Sequence, residues 1–307
     1  MLTAGAPEAC HASLRARTIA SLVRALLEYA ATVFFRVQHD SVYRYDVPVQ
    51  LAPHTLRLTP RGDHVRLISR ELSVEPQPSE RVEALDAFGN SITRLAFAGS
   101  TQSLHVVSRF ELETLTPPAL APLPERLPLG TAPGGELAPY LGHTIHPSVA
   151  DFARELAASV GSEPVAFLER LTRTLHERTD RHIRPSGNAR EAHETLALGS
   201  GACRDLSVLF LAACRSQGLA ARFVSGYQAQ AQTPDGQHHL HAWAEVFLPG
   251  VGFRGWDPMH GVPVTGGHVA LCVAPEQAAT MPIEGGFFFQ GPAVNSTLDH
   301  SVRISTG

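Results

Sequence analysis

Lysine is missing from this chain: all 25 basic residues are arginine, so the protein has no side-chain amine with which to crosslink to itself. Cysteine is scarce. The four present are irregularly spaced and form no disulfide framework, and a free thiol lasts best in a reducing compartment, so the cytoplasm is the expected location. Charge is sparse and nearly balanced, at 18% of residues and a net −4. There is no basic run to track a phosphate backbone and no interleaving of aromatic with basic residues, and no nucleic-acid partner is expected. Long hydrophobic runs are also lacking. The most apolar stretch, IASLVRALLEYAATVFF from Ile19, is broken by Arg24 and Glu28 and has no small-residue cleavage site after it. It is neither a signal peptide nor a membrane span, and no membrane partner is expected. No internal repeat or low-complexity tract is present.

What is there is an ordinary globular composition: 307 residues, 44% hydrophobic, enough for one or two domains with a sizeable core. Residues 1–33 read as an extension, either an accessory helix with Ile19, Leu22, Val23, Leu26 and Leu27 on one face or translated upstream sequence. From residue 34 to 115, short alternating segments such as VYRYDVPVQL, HVRLISRELSVEP and LHVVSRFELETL are separated by Pro, Gly, Asn or Asp. That pattern predicts an antiparallel β-sandwich. Residues 116–143 hold seven prolines and read as a connector. Over 144–307, helical periodicity in Ser148 to Val160 and Pro164 to His182 precedes the strand-like Ala221 to Ala231 and Leu240 to Leu248. The expected fold class is α+β: the sandwich, then a second domain with helices packed on a small antiparallel sheet.

Cys203 lies where Gly199, Ser200 and Gly201 break the chain just before Leu206, Leu209, Phe210 and Ala213 recur at helical spacing. A cysteine at the start of a helix meets unpaired N–H groups and the positive dipole end, which favour thiolate over thiol. Downstream, His241 opens an alternating strand, and Pro249 to Gly252 turn the chain toward Trp256 and Asp257. If that loop holds three residues, Asp257 falls opposite Trp243 and diagonal to His241. The chemistry of the order Cys, His, Asp is acyl transfer. His241 takes the Cys203 proton and returns it to a leaving amine, Asp257 fixes the imidazole tautomer, and the Cys203 N–H is a candidate oxyanion donor.

The segments GACRDLSVLFLAACRSQGLAARFVSGY, HAWAEVFLPGVGFRGWDP and GGHVALCVAPEQAATMPIEG resemble the transglutaminase-like superfamily. VYRYDVPVQLAPHTLRLTPR (42–61) and DAFGN (86–90) resemble the N-terminal β-domain of its bacterial branch. The resemblance covers most of residues 34–290. It implies a papain-like catalytic domain with Cys203, His241 and Asp257 as triad. One departure is evident: where relatives usually carry an aromatic pair before the catalytic helix, HERTDRHIRP places Thr179 and Arg181.

Other residues invite competing readings. Trp243 and Trp256 flank the site and are candidate substrate-lining residues, although a tryptophan on a strand is more often core. Cys214 and Cys272 read as small core residues, and Arg204 and Asp205 as first-turn residues that suit the helix dipole. His238, His239, His241, His260 and His268 lack a companion cluster of Cys, Asp or Glu at ligand spacing, so no metal and no cofactor is expected. The paired glycines and Phe287 to Phe289 of the tail close over a groove or form a core strand. The expected partner is a peptide or protein substrate; the sequence does not set the oligomeric state. Water as acyl acceptor gives a protease or amidase, which is the favoured reading. An amine acceptor gives a protein-glutamine transamidase, and a non-catalytic peptide-binding scaffold is disfavoured by the intact Cys, His and Asp.

Overall fold

The computed structural model describes residues 32–117, 119–129, 135–142, 144–184, 187–229, 237–291 and 293–307. The helix expected near Ile19 and the end of the strand expected over Ala221 to Ala231 lie outside them. Six antiparallel strands come first: β1 (Val33–Leu51), β2 (His54–Leu56), β3 (Val65–Glu75), β4 (Glu80–Leu85), β5 (Ser91–Ala96) and β6 (Thr101–Thr114). Then come the helices α1 (Pro147–Ser159) and α2 (Pro164–Arg178), the two-residue strand β7 (Asp180–Arg181), α3 (Ala192–Leu198), β8 (Ser200–Gly201) and α4 (Cys203–Ser216). The remaining strands are β9 (Ala221–Gln228), β10 (His241–Leu248), β11 (Gly252–Asp257), β12 (Val262–Pro263), β13 (His268–Ala274), β14 (Ile283–Glu284), β15 (Phe287–Phe288) and β16 (Ser296–Thr306). The class is α+β with N-terminal antiparallel sheets, as the sequence predicts.

Proline starts α1 and α2, where its missing N–H costs nothing. Helix α2 ends at Arg178, short of the expected His182, because Asp180 and Arg181 leave the helix to pair in parallel with Ser200 and Gly201. The seven-residue α3, absent from the periodicity, is held at its start by the Glu191 N–H donating to the Glu194 carboxylate at 3.3 Å.

Strand order places β10 at the centre of a five-stranded sheet, β12-β11-β10-β9-β13. Its buried residues divide among a small cluster of Val224, Trp243 and Val273 and two larger cores. Phe223, Ala242, Ala244, Val246, Leu248 and Trp256 pack with the helices, including Leu209, Phe210 and Ala213 of α4. Tyr227, Val269, Leu271 and Cys272 pack with Phe35, Val37, Leu104, Phe110 and others of the N-terminal strands. Each fully buried Leu or Phe here contributes on the order of 1.5–3 kcal/mol, so α4 and β13 are held firmly against opposite partners.

The domain division read from the sequence differs from this arrangement at the C-terminal end. Gln277–Thr280 stay against β13 and β9, but the residues after them do not. β14 pairs with β2, β15 with β1, and β16 runs antiparallel to β1 from Phe35 opposite Thr306 to Tyr45 opposite Ser296. Covering β1 in this way removes an unpaired strand edge, and it ties the end of the chain to its first sheet. The tail reading divides likewise: His268–Ala274 is a core strand, while Met281, Pro282 and Ile283 reach the groove described next.

Candidate active site

Cys203 is the first residue of α4, after Ala202 as N-cap. Ala202 has no side-chain oxygen with which to cap, and Asp205 instead reaches back to accept the Ala202 N–H. The Asp205 carboxylate is fully buried and receives the Ala202 N–H at 2.9 Å, the Arg190 N–H at 2.8 Å and the Arg184 guanidinium at 2.5 Å. Burial alone would raise the Asp205 pKa, but these donors hold the carboxyl below its ordinary range. Asp205 therefore does more than complement a dipole: it clamps the segment before Cys203 onto the helix.

The β10–β11 hairpin has the three-residue loop Pro249 to Val251, with Leu248 opposite Gly252 and Ala244 opposite Trp256. One step further in that register sets Asp257 across from Trp243 and diagonal to His241. His241 Nε2 lies 2.7 Å from Asp257 Oδ2. Its other ring nitrogen, Nδ1, is left free of Asp257, and His241 and the Ala242 N–H both favour the charged form of the Cys203 thiol. The three residues singled out by sequence are thus brought together.

Electrostatics follow from this geometry. Burial pushes the Cys203 thiol up, but the His241 hydrogen bond and positive charge outweigh it and the thiol lies below its usual value. Burial works against the charged form of His241, yet the Asp257 charge and hydrogen bond, with a contribution from Cys203, raise it to about 10. Asp257 is held well below the ordinary carboxylate range, its burial overcome by His241 and two further histidines. By contrast, burial raises Cys214 and takes Cys272 to about 12, which suits their expected place in the core. The three cysteines among the described residues are all free.

Two histidines were not assigned from sequence. His260 Nδ1 and His268 Nε2 lie 2.8 and 3.1 Å from the Oδ2 atom that His241 holds, while Oδ1 accepts the Met259 and His260 N–H groups at 2.9 and 3.1 Å. His260, three residues past Asp257 in a turn, was the more findable; His268 arrives from β13, a long-range pairing. The ligating atoms of His241, Asp257 and His268 lie within 4.8 Å of one another. Each of the two nitrogens is engaged with Oδ2, the arrangement of a hydrogen-bonded carboxylate.

Trp243 and Trp256 depart from the expected substrate-lining role. Both are buried, at 1% and 2% exposure. Trp243 packs with Val224 and Val273, its indole occupying the space a Cβ on Gly226 would take, and Trp256 packs into the helical core. Neither lines the groove of about 540 Å³ that opens beside Cys203 and His241. That groove is walled by Arg181, Arg184 and Arg204 on one side and by Tyr43 and His300 of the N-terminal sheet on another.

Comparison with known proteins bears on the family and the fold. The profile of the bacterial transglutaminase-like N-terminal region matches residues 35–113, and that of the transglutaminase-like superfamily matches residues 151–259. An uncharacterized protein of Mycobacterium tuberculosis is 28% identical over 301 residues, 91% of this chain and 94% of that protein. One from Mycobacterium leprae is 24% identical over 283 residues, 88% and 98% of the respective chains. The crystal structure of a Cytophaga hutchinsonii protein, provisionally described as a cysteine protease, superposes with a TM-score of 0.67 at 18% identity, over 90% of this chain and 91% of that one. That likeness establishes the fold.

Proposed function

The chain belongs to the transglutaminase-like superfamily, and we propose that it is a cysteine-dependent acyl-transfer enzyme that hydrolyses peptide or amide bonds through Cys203, His241 and Asp257. The observation that carries this reading is His241 held between a buried carboxylate and a thiol at a helix N-terminus.

In the resting site the proton sits on His241 and the charge on Cys203, since the thiol lies below its ordinary value and the imidazole at about 10. The thiolate attacks the substrate carbonyl, and the Cys203 N–H at the helix start faces the developing oxyanion. As the C–N bond breaks, His241 passes its Nδ1 proton to the leaving amine and a thioester remains on Cys203. Water then gives a proton to His241 and its oxygen to the carbonyl carbon, releasing acid and restoring the thiolate–imidazolium pair. Asp257 keeps the ring oriented and stabilises its charged form.

Hydrolysis is favoured over amine capture because Cys203 is only partly covered, and water is the acceptor that needs no binding site. A transamidase would have to shelter the thioester from water. Among the described residues no helix is long and apolar enough to cross a membrane; a reducing compartment such as the cytoplasm would keep the thiol active.

Intact-mass measurement after a short iodoacetamide pulse, from about pH 5 to 9, tests the reading against the roughly 8.5 of a free thiol. Rapid single labelling at Cys203 at acidic pH, lost in Cys203→Ser and slowed in His241→Ala, is the expected result. Slow labelling shared among Cys203, Cys214 and Cys272 would overturn it and leave the peptide-binding scaffold.

A further inference from the structure

Among the described residues, the walls of the groove carry charge of one sign. Among the described residues lining it are three arginines, Arg181, Arg184 and Arg204, and no aspartate or glutamate. The chain as a whole has the opposite bias, 29 acids against 25 arginines, so a carboxylate-free groove is not a consequence of composition. The two carboxylates nearest the nucleophile stand behind the wall and are already committed, Asp257 to its histidines and Asp205 to Arg184 and two backbone N–H groups.

The arginines crowd rather than disperse. Arg204, adjacent in sequence to Cys203, donates to the Arg184 carbonyl at 2.7 Å. Its guanidinium is depressed first by burial and then by the positive charges of Arg184 and Arg190, with Asp205 and Cys203 pulling the other way. Three guanidiniums thus share the neighbourhood of one carboxylate. Arg184 Nε is buried with no hydrogen-bond partner among the described residues. Arg184 Nη2 is spent on Asp205 and the Asn188 carbonyl, so the guanidinium is only partly matched, and a planar guanidinium is best matched by a carboxylate.

We infer that the groove selects acidic peptides or amides, substrates with a carboxylate close to the carbonyl that Cys203 attacks, and that Arg184 and Arg204 receive that carboxylate while Arg181 attracts it at the rim. The inference rests on Cys203 being the nucleophile of the proposed reaction. It also accounts for the sequence departure before the catalytic helix, where Arg181 stands in place of the aromatic pair usual in relatives. A cationic groove has a second effect, since it concentrates anionic substrate and raises the rate of encounter.

Two alkylating reagents of nearly the same size test this without a known substrate. Iodoacetate and iodoacetamide both form an Sγ–CH₂ bond with loss of iodide, and they differ in a carboxylate against a neutral amide. In the full-length chain iodoacetate should modify Cys203 about tenfold faster than iodoacetamide at low salt, as expected of a groove lined by one charge. The ratio should collapse near 1 M salt, where the screening length falls to about 3 Å. It should also drop severalfold in Arg204→Gln and in the exposed Arg181→Gln. A ratio near unity in the wild type, or one that survives both substitutions and so originates at the His241 imidazolium, overturns the inference. The salt dependence needs no variant, so a misfolded Arg204→Gln leaves the test intact. If neither reagent modifies Cys203 ahead of the buried cysteines, the thiol reading itself fails and the substrate inference falls with it, a result distinct from equal and rapid labelling by both.

Discussion

His241 and His268 hold the same oxygen, Oδ2 of Asp257, at 2.7 and 3.1 Å. They do so unequally. His241 is raised to about 10 and carries the proton, while burial lowers His268, so that His268 donates as a neutral ring. One oxygen therefore serves a charged partner that takes part in the proposed chemistry and a neutral one that fixes the oxygen in place.

Asp257→Asn should be the most damaging change outside Cys203 and His241. It removes the charge that sustains the imidazolium, and its amide presents N–H groups to a cluster already made of donors. Loss of the corresponding aspartate in triads costs up to about 10⁴-fold in kcat. The expected outcome is a loss of at least about 10²-fold, with Cys203 labelling moved toward the pH of a free thiol. Wild-type labelling kinetics in this variant would show that Asp257 is not coupled to the thiol.

His268→Phe isolates the second relationship. An aromatic ring of slightly larger size is kept and one donor to a buried carboxylate is lost, which costs about 1–3 kcal/mol of stability. His260 and two backbone N–H groups remain on Asp257, so Cys203 labelling should slow less than in Asp257→Asn. Thermal denaturation beside alkylation kinetics separates the two effects. An unchanged melting temperature would mean that the His268 hydrogen bond adds nothing to stability.

Stability should depend on pH through His241 with a definite sign. Its folded pKa of about 10 lies above the 6.5 of an unperturbed imidazole. The group's contribution is thus present in full below 6.5 and lost as pH rises toward 10. The difference in melting temperature between wild type and Asp257→Asn should shrink across that interval. A difference that grew with pH would contradict the assignment of the proton to His241.

The sequence carried the grouping of Cys203, His241 and Asp257 further than it carried the strand pairings around them. Cys203, His241 and Asp257 were legible because each follows a local signal: a glycine break before an amphipathic helix, the first position of an alternating strand, and a three-residue hairpin that fixes register. His268 was not legible, because its contact with Asp257 depends on how β13 docks beside β9, and strand order across a sheet leaves no local trace. The same limit hid the return of β16 to β1. The tryptophans stayed between two readings for a different reason: alternation says which residues share a face, and it does not say whether that face is a groove or a core.

The two cores should unfold together. Tyr227 of β9 donates to or accepts from His39 Nδ1 of β1 at 2.7 Å, and Ser41 Oγ lies 3.2 Å from the other His39 nitrogen. Burial, first, and His300 take His39 down to about 4, so the ring is neutral at ordinary pH. Tyr227→Phe leaves a buried ring nitrogen without its partner, at about 1–3 kcal/mol. Calorimetry of the full chain should give a single transition displaced downward as a whole. Two resolved transitions, only one of them shifted, would show that the N-terminal sheets melt independently.

Gly226→Ala should abolish the site from the opposite strand. Gly226 stands across from His241 in the β9–β10 register. A Cβ there would come within 2.2 Å of the Val269 carbonyl oxygen and 2.6 Å of the Trp243 ring. Neither neighbour gives way easily, the one being backbone of the β9–β13 ladder and the other a buried ring. Overpacking of this kind costs about 1–3 kcal/mol and sometimes more, and here relief requires β9 to part from β13 or the indole to push toward His241. The expected variant is destabilised and slow to label at Cys203. Adding Trp243→Leu clears the ring and leaves the carbonyl clash, so the double variant should recover little. Full recovery would instead place the whole constraint on the indole and free the β9–β13 pairing from any part in positioning His241.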